Sequence, residues 1–145
     1  MNEYTLDSIK IGTEEQFSVT VTEDMRKAFL EITGDVNPMH TNKTYAKQYG
    51  YGGYLFHGML TASFLSTLVG VYLPGRRCLF HECSVQFTKP VYAGDTLAVS
   101  GKVTEIDLRF RRISIKAQIM NQRGEKVLRG KLIVGVLDDV QCVGC

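Results

Sequence analysis

The sequence has no tryptophan, only three prolines and three histidines, and no excess of charge of either sign. Its 17 basic and 15 acidic residues leave a net charge of +2, too balanced for nucleic-acid binding as a main activity. The amino terminus, MNEYTLDSIK, lacks a basic stretch followed by an apolar run. No signal peptide is therefore expected, and the protein is placed in the cytoplasm. No apolar run is clean enough for a membrane span. The longest, Phe56 to Leu73, is interrupted by His57, Gly58, Thr61, Ser63, Ser66 and Thr67. Without a secretion signal, Cys78, Cys83, Cys142 and Cys145 are expected as free thiols. The lone Cys142-x-x-Cys145 pair, on the last four residues, is too weak a signal for a metal or redox motif. What remains is an ordinary globular composition, 44% hydrophobic over 145 residues, expected to form one domain over residues 1–145.

Periodicity divides the chain into a helical middle and a strand-rich second half. Glu15 to Val21 alternate, with Phe17, Val19 and Val21 on one side, and predict a strand. Thr22 then suits a helix N-cap, followed by two acids in the first turn. Met25, Ala28, Phe29 and Ile32 fall at helical spacing and predict one apolar face, with Gly34 as the stop. A short helix is expected over Lys43 to Tyr49, then a flexible aromatic loop, Tyr51-Gly52-Gly53-Tyr54. Phe56 to Leu73 shows no polar face, so it reads as a helix buried on all sides. From residue 78 four strands follow, the third running from Phe110 through Ile113, Ile115, Ala117 and Ile119 with an irregularity near Arg111-Arg112. This is an α+β pattern, since no strand–helix–strand alternation occurs. One curved antiparallel sheet wrapped around one long central helix satisfies it.

Chemistry concentrates in one stretch, Thr33-Gly34-Asp35-Val36-Asn37-Pro38-Met39-His40. Gly34 ends the helix and Pro38 pushes Asn37 out of the α region, so the segment reads as a polar turn. Asp35 and His40 stand five residues apart in it, a pair able to orient a water between proton acceptor and proton donor. A plainer role also fits, with Asp35 capping the turn and His40 capping a helix. His57 precedes the buried helix, where its hydrogen bonds can pin the loop, and His81 lies in a strand. An Asp35/His40/His57 metal site matches no known ligand spacing, and no metal is expected.

Phe29, Thr33-Gly34-Asp35-x-Asn37-Pro38-x-His40 and Ala46 together resemble the signature of the MaoC-like, (R)-specific enoyl-CoA hydratases. His57-Gly58-Met59-Leu60, Leu73-Pro74-Gly75 and Phe87-x-x-Pro90-Val91-x-x-Gly94-Asp95 resemble that family's later landmarks. The resemblance runs over roughly residues 12 to 136 and implies the hot-dog fold, a sheet wrapped around a helix. It implies that Asp35 and His40 hold a catalytic water. That water adds to a trans-2-enoyl thioester to give an (R)-3-hydroxyacyl thioester, or leaves in the reverse dehydration. It implies the main-chain N–H of Gly58 as donor to the thioester oxygen, which suits a helix N-terminus facing a developing enolate. It puts Ser66 near the site, although a small packing residue on the helix fits equally. Asn37 is read as shaping the turn.

The resemblance implies no cofactor; coenzyme A or a carrier protein enters as the thioester substrate. Tyr54 and Phe56 in the approach loop are substrate-binding candidates, with Phe56 bulkier than the residue the family often carries and no proline before His57-Gly58. Arg76 and Arg77, with Lys89, Arg109, Arg111 and Arg112, are candidates for coenzyme A phosphates or an acidic carrier protein. Open sheet edges and the family's habit of pairing hot dogs imply a homodimer. The competing functions are a 3-hydroxyacyl-carrier-protein dehydratase, a hot-dog thioesterase and a non-enzymatic acyl-CoA-binding module.

Overall fold

The alternating segments form strands β1 (Glu14–Thr20), β2 (Cys78–Phe87), β3 (Thr96–Asp107), β4 (Arg112–Met120) and β5 (Lys126–Val136). They pair antiparallel in one sheet ordered β1-β3-β4-β5-β2. The computed structural model describes residues 1–138, so Cys142 and Cys145 lie outside the described residues. Four helices precede β2: α1 (Glu23–Thr33), α2 (Pro38–Thr41), α3 (Lys43–Gln48) and α4 (Gly58–Thr67), the last continuing as a π-helical turn, Leu68–Tyr72. No helix among the described residues is long and apolar enough to cross a membrane.

The core is the layer between the sheet and α4 with its π turn. Leu65, Leu68, Leu97, Ile115, Ile119, Leu128 and Leu132 are all fully buried there. Each such side chain removed from water contributes roughly 1.5–3 kcal/mol. Gly101 of β3 sets how closely the π turn approaches. A Cβ on Gly101 would stand 2.8 Å from both Leu68 Cδ2 and Ile115 Cγ2, so only glycine lets Leu68 rest on the sheet.

Several local expectations are met by identifiable groups. The Thr22 side chain accepts from Met25 N, capping α1, and Gly34 closes that helix at φ 69°. The left-handed conformation there is one that glycine adopts without the usual penalty. Asn121 to Gly124 turns the chain between β4 and β5, with Gly124 at φ 74°.

Four expectations are corrected. Ile32 is 81% exposed, and Ala28 is exposed too; α1 turns Met25, Phe29 and Arg26 inward instead. Phe110 is not in a strand but in the exposed turn before β4, beside Arg111 at φ 50°. α4 is not buried on all sides: the sheet covers Leu60, Thr61, Ala62 and Leu65, while Met59, Ser63, Ser66 and Thr67 face out. The sequence reports that this helix carries no charge, and the sheet of one chain reaches only half of it. Finally, His40 lies in a single helical turn rather than an irregular one. Pro38 opens α2 at a position where its missing N–H costs nothing, and the Asn37 side chain caps it from Met39 N.

Candidate active site

Between Gly34 and the start of α2, the chain is held by short polar contacts of its own. Asp35 Oδ1 accepts from Asn37 N (3.3 Å) and Asn37 Oδ1 accepts from Met39 N (2.9 Å). Asn37 therefore shapes the turn, as its residue type suggests. This folding leaves Asp35 Oδ2 pointing at the imidazole of His40, 3.9 Å from Nε2. That separation is too long for a hydrogen bond. One water oxygen at about 2.8 Å from each atom would span it.

The His40 tautomer follows from its other nitrogen. Nδ1 lies 2.8 Å from the Leu55 carbonyl, which can only accept, so Nδ1 carries the proton. Nε2 is then the lone pair of the neutral ring, facing Asp35. His40 is mostly buried and Asp35 half-exposed, so the pair sits at a wall open on one side.

His57 joins them. It is 1% exposed and lies stacked on His40, ring centroids 3.9 Å apart. Its Nε2–H donates to the Asp35 main-chain oxygen (3.1 Å), and the same nitrogen is 4.0 Å from Asp35 Oδ2. Phe29 packs against its other side. His57 thus pins the Asp35 backbone from the start of α4. The donor atoms of Asp35, His40 and His57 approach within 4.8 Å of one another, a grouping that the chain spacing hides. The His57 Nε2 proton is committed to a carbonyl, which removes that nitrogen from a ligand set.

Burial pushes the His57 imidazole below its ordinary pKa; the Asp35 carbonyl opposes this, and the His40 ring reinforces it. The unfolded chain therefore takes up this proton first as pH falls. Stability is full above the unfolded value of about 6.5 and declines below it. The expected result is that His57→Gln, whose amide can still donate to the Asp35 carbonyl, loses less stability than the wild type between pH 7 and pH 5.5. Urea midpoints across that range check it, and parallel pH profiles would contradict it.

Gly58 is the first residue of α4, and that helix has no side-chain cap, unlike α1, α2 and α3. Its N–H has no intrahelical acceptor and stands at the positive end of the helix dipole. Two cavities meet there. One, about 360 Å³, is lined by His40, Tyr51, Leu55, Phe56, Gly58 and Val91 among others. The second, about 410 Å³, is lined by Phe29, Asp35, His57, Gly58 and Met59. Phe87 lines both, with its ring 3.2 Å from where a Gly58 Cβ would be. Gly58 thus lines both the cavity that holds His40 and the cavity that holds Asp35.

The structure brings Asp35, Asn37, His40, Phe56 and Gly58 together. Tyr54 is turned away, into a separate groove with Arg26 and Lys43. Ser66 is exposed on α4, more than two turns beyond Gly58, and lines neither cavity. Arg76 and Arg77 sit past the opposite end of α4 and its π turn, where Arg77 pairs with Glu3 (3.2 Å). Lys89 lines the first cavity and pairs with Glu125 (2.7 Å). Arg111 pairs with Asp138 and Arg112 with Asp107, away from the turn. Cys78 and Cys83 are free thiols; burial raises both, Cys78 to about 11. Tyr51 and Phe87 enter as lining residues; the sequence marked the first only as part of an aromatic loop and the second only as a family landmark. Phe87 follows the alternation of its strand, so only the fold reveals that it reaches Gly58.

A family model described as "MaoC like domain" matches residues 7–123. The chain is 34% identical over 130 residues to an (R)-specific enoyl-CoA hydratase of Rhodospirillum rubrum, covering 90% of each. It is 30% identical over 130 residues to a 3-hydroxybutyryl-CoA dehydratase of Methylorubrum extorquens, covering 90% of this chain and 82% of that one. Among solved structures, the unliganded R-hydratase PhaJ1 of Pseudomonas aeruginosa superposes with a TM-score of 0.86 at 26% identity, over 93% of this chain and 86% of that one.

Proposed function

The chain belongs to the MaoC-like domain family, and on that premise we propose that it is a hydro-lyase that hydrates trans-2-enoyl-CoA to (R)-3-hydroxyacyl-CoA, and dehydrates the product in reverse. The observation that carries this reading is the placement of Asp35 Oδ2 and His40 Nε2, 3.9 Å apart, beside the uncapped start of α4. Relatives named for the hydration and the dehydration support the reaction class.

Asp35 and His40 hold one water between them. One of the pair takes a proton from that water as its oxygen bonds to C3, and the pair, now carrying that proton, delivers a proton to C2. Negative charge gathers on the thioester oxygen in between. Gly58 N–H and the dipole of α4 stabilise it there, because an amide fixed in advance needs no reorganisation when charge develops. Leu55 holds the His40 ring so that Nε2 accepts a proton when neutral and donates it when charged. The same geometry therefore serves both directions.

The acyl chain enters the apolar cavity whose wall includes Phe56, Phe87 and Val91. Coenzyme A is favoured over a carrier protein as the thioester arm of the substrate, since two relatives matched over 130 residues each are named for CoA substrates. Self-association fits the outward face of α4, where Met59, Ser63, Ser66 and Thr67 have no cover from their own sheet. β2, at the sheet edge and paired only with β5, runs alongside.

Mixing the protein with crotonyl-, hexenoyl-, octenoyl- and aryl-enoyl-CoA tests the reaction. The expected result is loss of enoyl absorbance with no release of thiol. Thiol release from saturated acyl-CoA would favour a thioesterase, and tight binding without turnover would favour a binding module.

A further inference from the structure

We propose that Arg26 is a positioning residue for this reaction, fixing His40 through the main chain of the turn; the inference rests on the hydratase reading above. In the sequence, Glu23 and Arg26 are an i, i+3 pair of opposite charge on a short helix, the usual pattern of a solvated surface. In the structure Arg26 is only 8% exposed. Its Nε donates to Glu23 Oε1 (2.9 Å), Nη2 meets the same oxygen, and Nη1 donates to the His40 main-chain oxygen at 2.7 Å. The guanidinium also stands over the Tyr54 ring, 4.8 Å from its centroid.

α2 explains why this contact matters. A helix of four residues closes a single full turn, from Pro38 O to Asn42 N, and has no ladder to stiffen it. Two of its other carbonyls are held from outside. Met39 O accepts from Leu55 N (3.0 Å), and His40 O accepts from Arg26. His40 is therefore gripped at both ends, its carbonyl by Arg26 and its ring by the Leu55 carbonyl. Arg26 also stacks on Tyr54, the residue before Leu55. One guanidinium thus sets the spacing between the two segments that aim Nε2 at Asp35.

Glu23 makes the buried charge tolerable, because a paired and hydrogen-bonded guanidinium avoids the penalty of an isolated one. The site needs a fork: Glu23 and His40 O are reached at once by different nitrogens, which a lysine ammonium on its stem does not reproduce. A misplacement of about 1 Å in a reacting group costs up to about a hundredfold in rate.

The test uses the full chain with Arg26→Lys and Arg26→Leu. In enoyl-CoA hydration both variants should lose about 10- to 100-fold in kcat. KM should stay within about threefold, since the carbonyl-binding Gly58 is untouched. Arg26→Lys, which keeps a charge for Glu23, should recover most of the stability lost in Arg26→Leu but not the kcat; a merely structural role would restore both together. The His40 Nδ1–H proton resonance, protected in the wild type by the Leu55 carbonyl, should be lost to solvent exchange in both. A kcat within about twofold of wild type in either folded variant overturns the inference. Failure of the wild type to hydrate any enoyl-CoA refutes the hydratase reading instead. The Nδ1–H resonance then decides the inference by itself, and its persistence in Arg26→Lys overturns it.

Discussion

Asp35→Asn is expected to lower kcat for enoyl-CoA hydration by about a thousandfold, and His40→Ala to do the same. A positioned proton-transfer group contributes roughly 10²–10⁴ in rate, so a thousandfold loss, about 4 kcal/mol, lies within that range. Asparagine keeps the shape of Asp35 and an oxygen for the Asn37 N contact, so the turn is preserved. What is lost is the carboxylate 3.9 Å from His40 Nε2. His40→Ala removes the other half of the water's seat. In the proposed mechanism both act on one water, so the double variant should cost little more than the worse single one. Thermal stability should change little for Asp35→Asn, because the carboxylate is half-exposed and Oδ2 makes no close contact. Steady-state kinetics with the best enoyl-CoA of the panel checks these results. Either single variant keeping more than about a tenth of the wild-type rate would remove the water-holding pair from the account.

Leu65→Ala is expected to destabilise the fold by about 2–5 kcal/mol. Leu65 is fully buried on the sheet side of α4, in the layer with Leu68, Leu97, Ile115 and Leu132. Removing its isobutyl end deletes apolar burial and leaves a hole that the sheet cannot collapse to fill, because five hydrogen-bonded strands move as a unit. The urea midpoint should fall with little change in slope. At temperatures where the variant remains folded, kcat should stay near wild type, since the Gly58 end of α4 is held separately. Its neighbour Phe56 is fixed by a hydrogen bond from its N to Val91 O (2.8 Å), and His57 by Asp35. Unchanged stability would mean that the core between helix and sheet is not where the fold is held.

The fold was legible because its signals are local and repeated. Alternation in β3, β4 and β5, the Thr22 and Gly34 helix ends and the apolar stretch around Leu65 each fix an element without tertiary knowledge. The exposed half of α4 was not legible. Apolar or small residues at Met59, Ser63, Ser66 and Thr67 report the absence of charge, and one chain's sheet covers only the opposite side. Ile32 and Phe110 mislead for a related reason: periodicity marks what could be buried, while element ends decide what is.

In the site, the Asp35–His40 pair was readable because both residues stand on one short segment with a glycine and a proline fixing its shape. Arg26's contribution was not, and for His57 the loop-pinning role was readable but not its partner. His57 comes to Asp35 across 22 residues of chain, through a main-chain carbonyl that any residue type could supply. Arg26 reaches His40 in the same way, across 14 residues. Contacts to backbone leave no trace in the partner's identity. Tyr54 is the converse case: its aromatic loop suggested a substrate contact, and its ring instead packs with Arg26 and Lys43.

The central claim is that water held between Asp35 and His40 is delivered to one face of an enoyl group whose carbonyl is fixed at Gly58. The stereochemistry of the product tests it most directly. Hydration of crotonyl-CoA by the wild-type protein, followed by chiral analysis of the 3-hydroxybutyryl product, should give the (R) isomer alone, and Asp35→Asn should form it about a thousandfold more slowly. An (S) product, or a racemic one, would contradict the account.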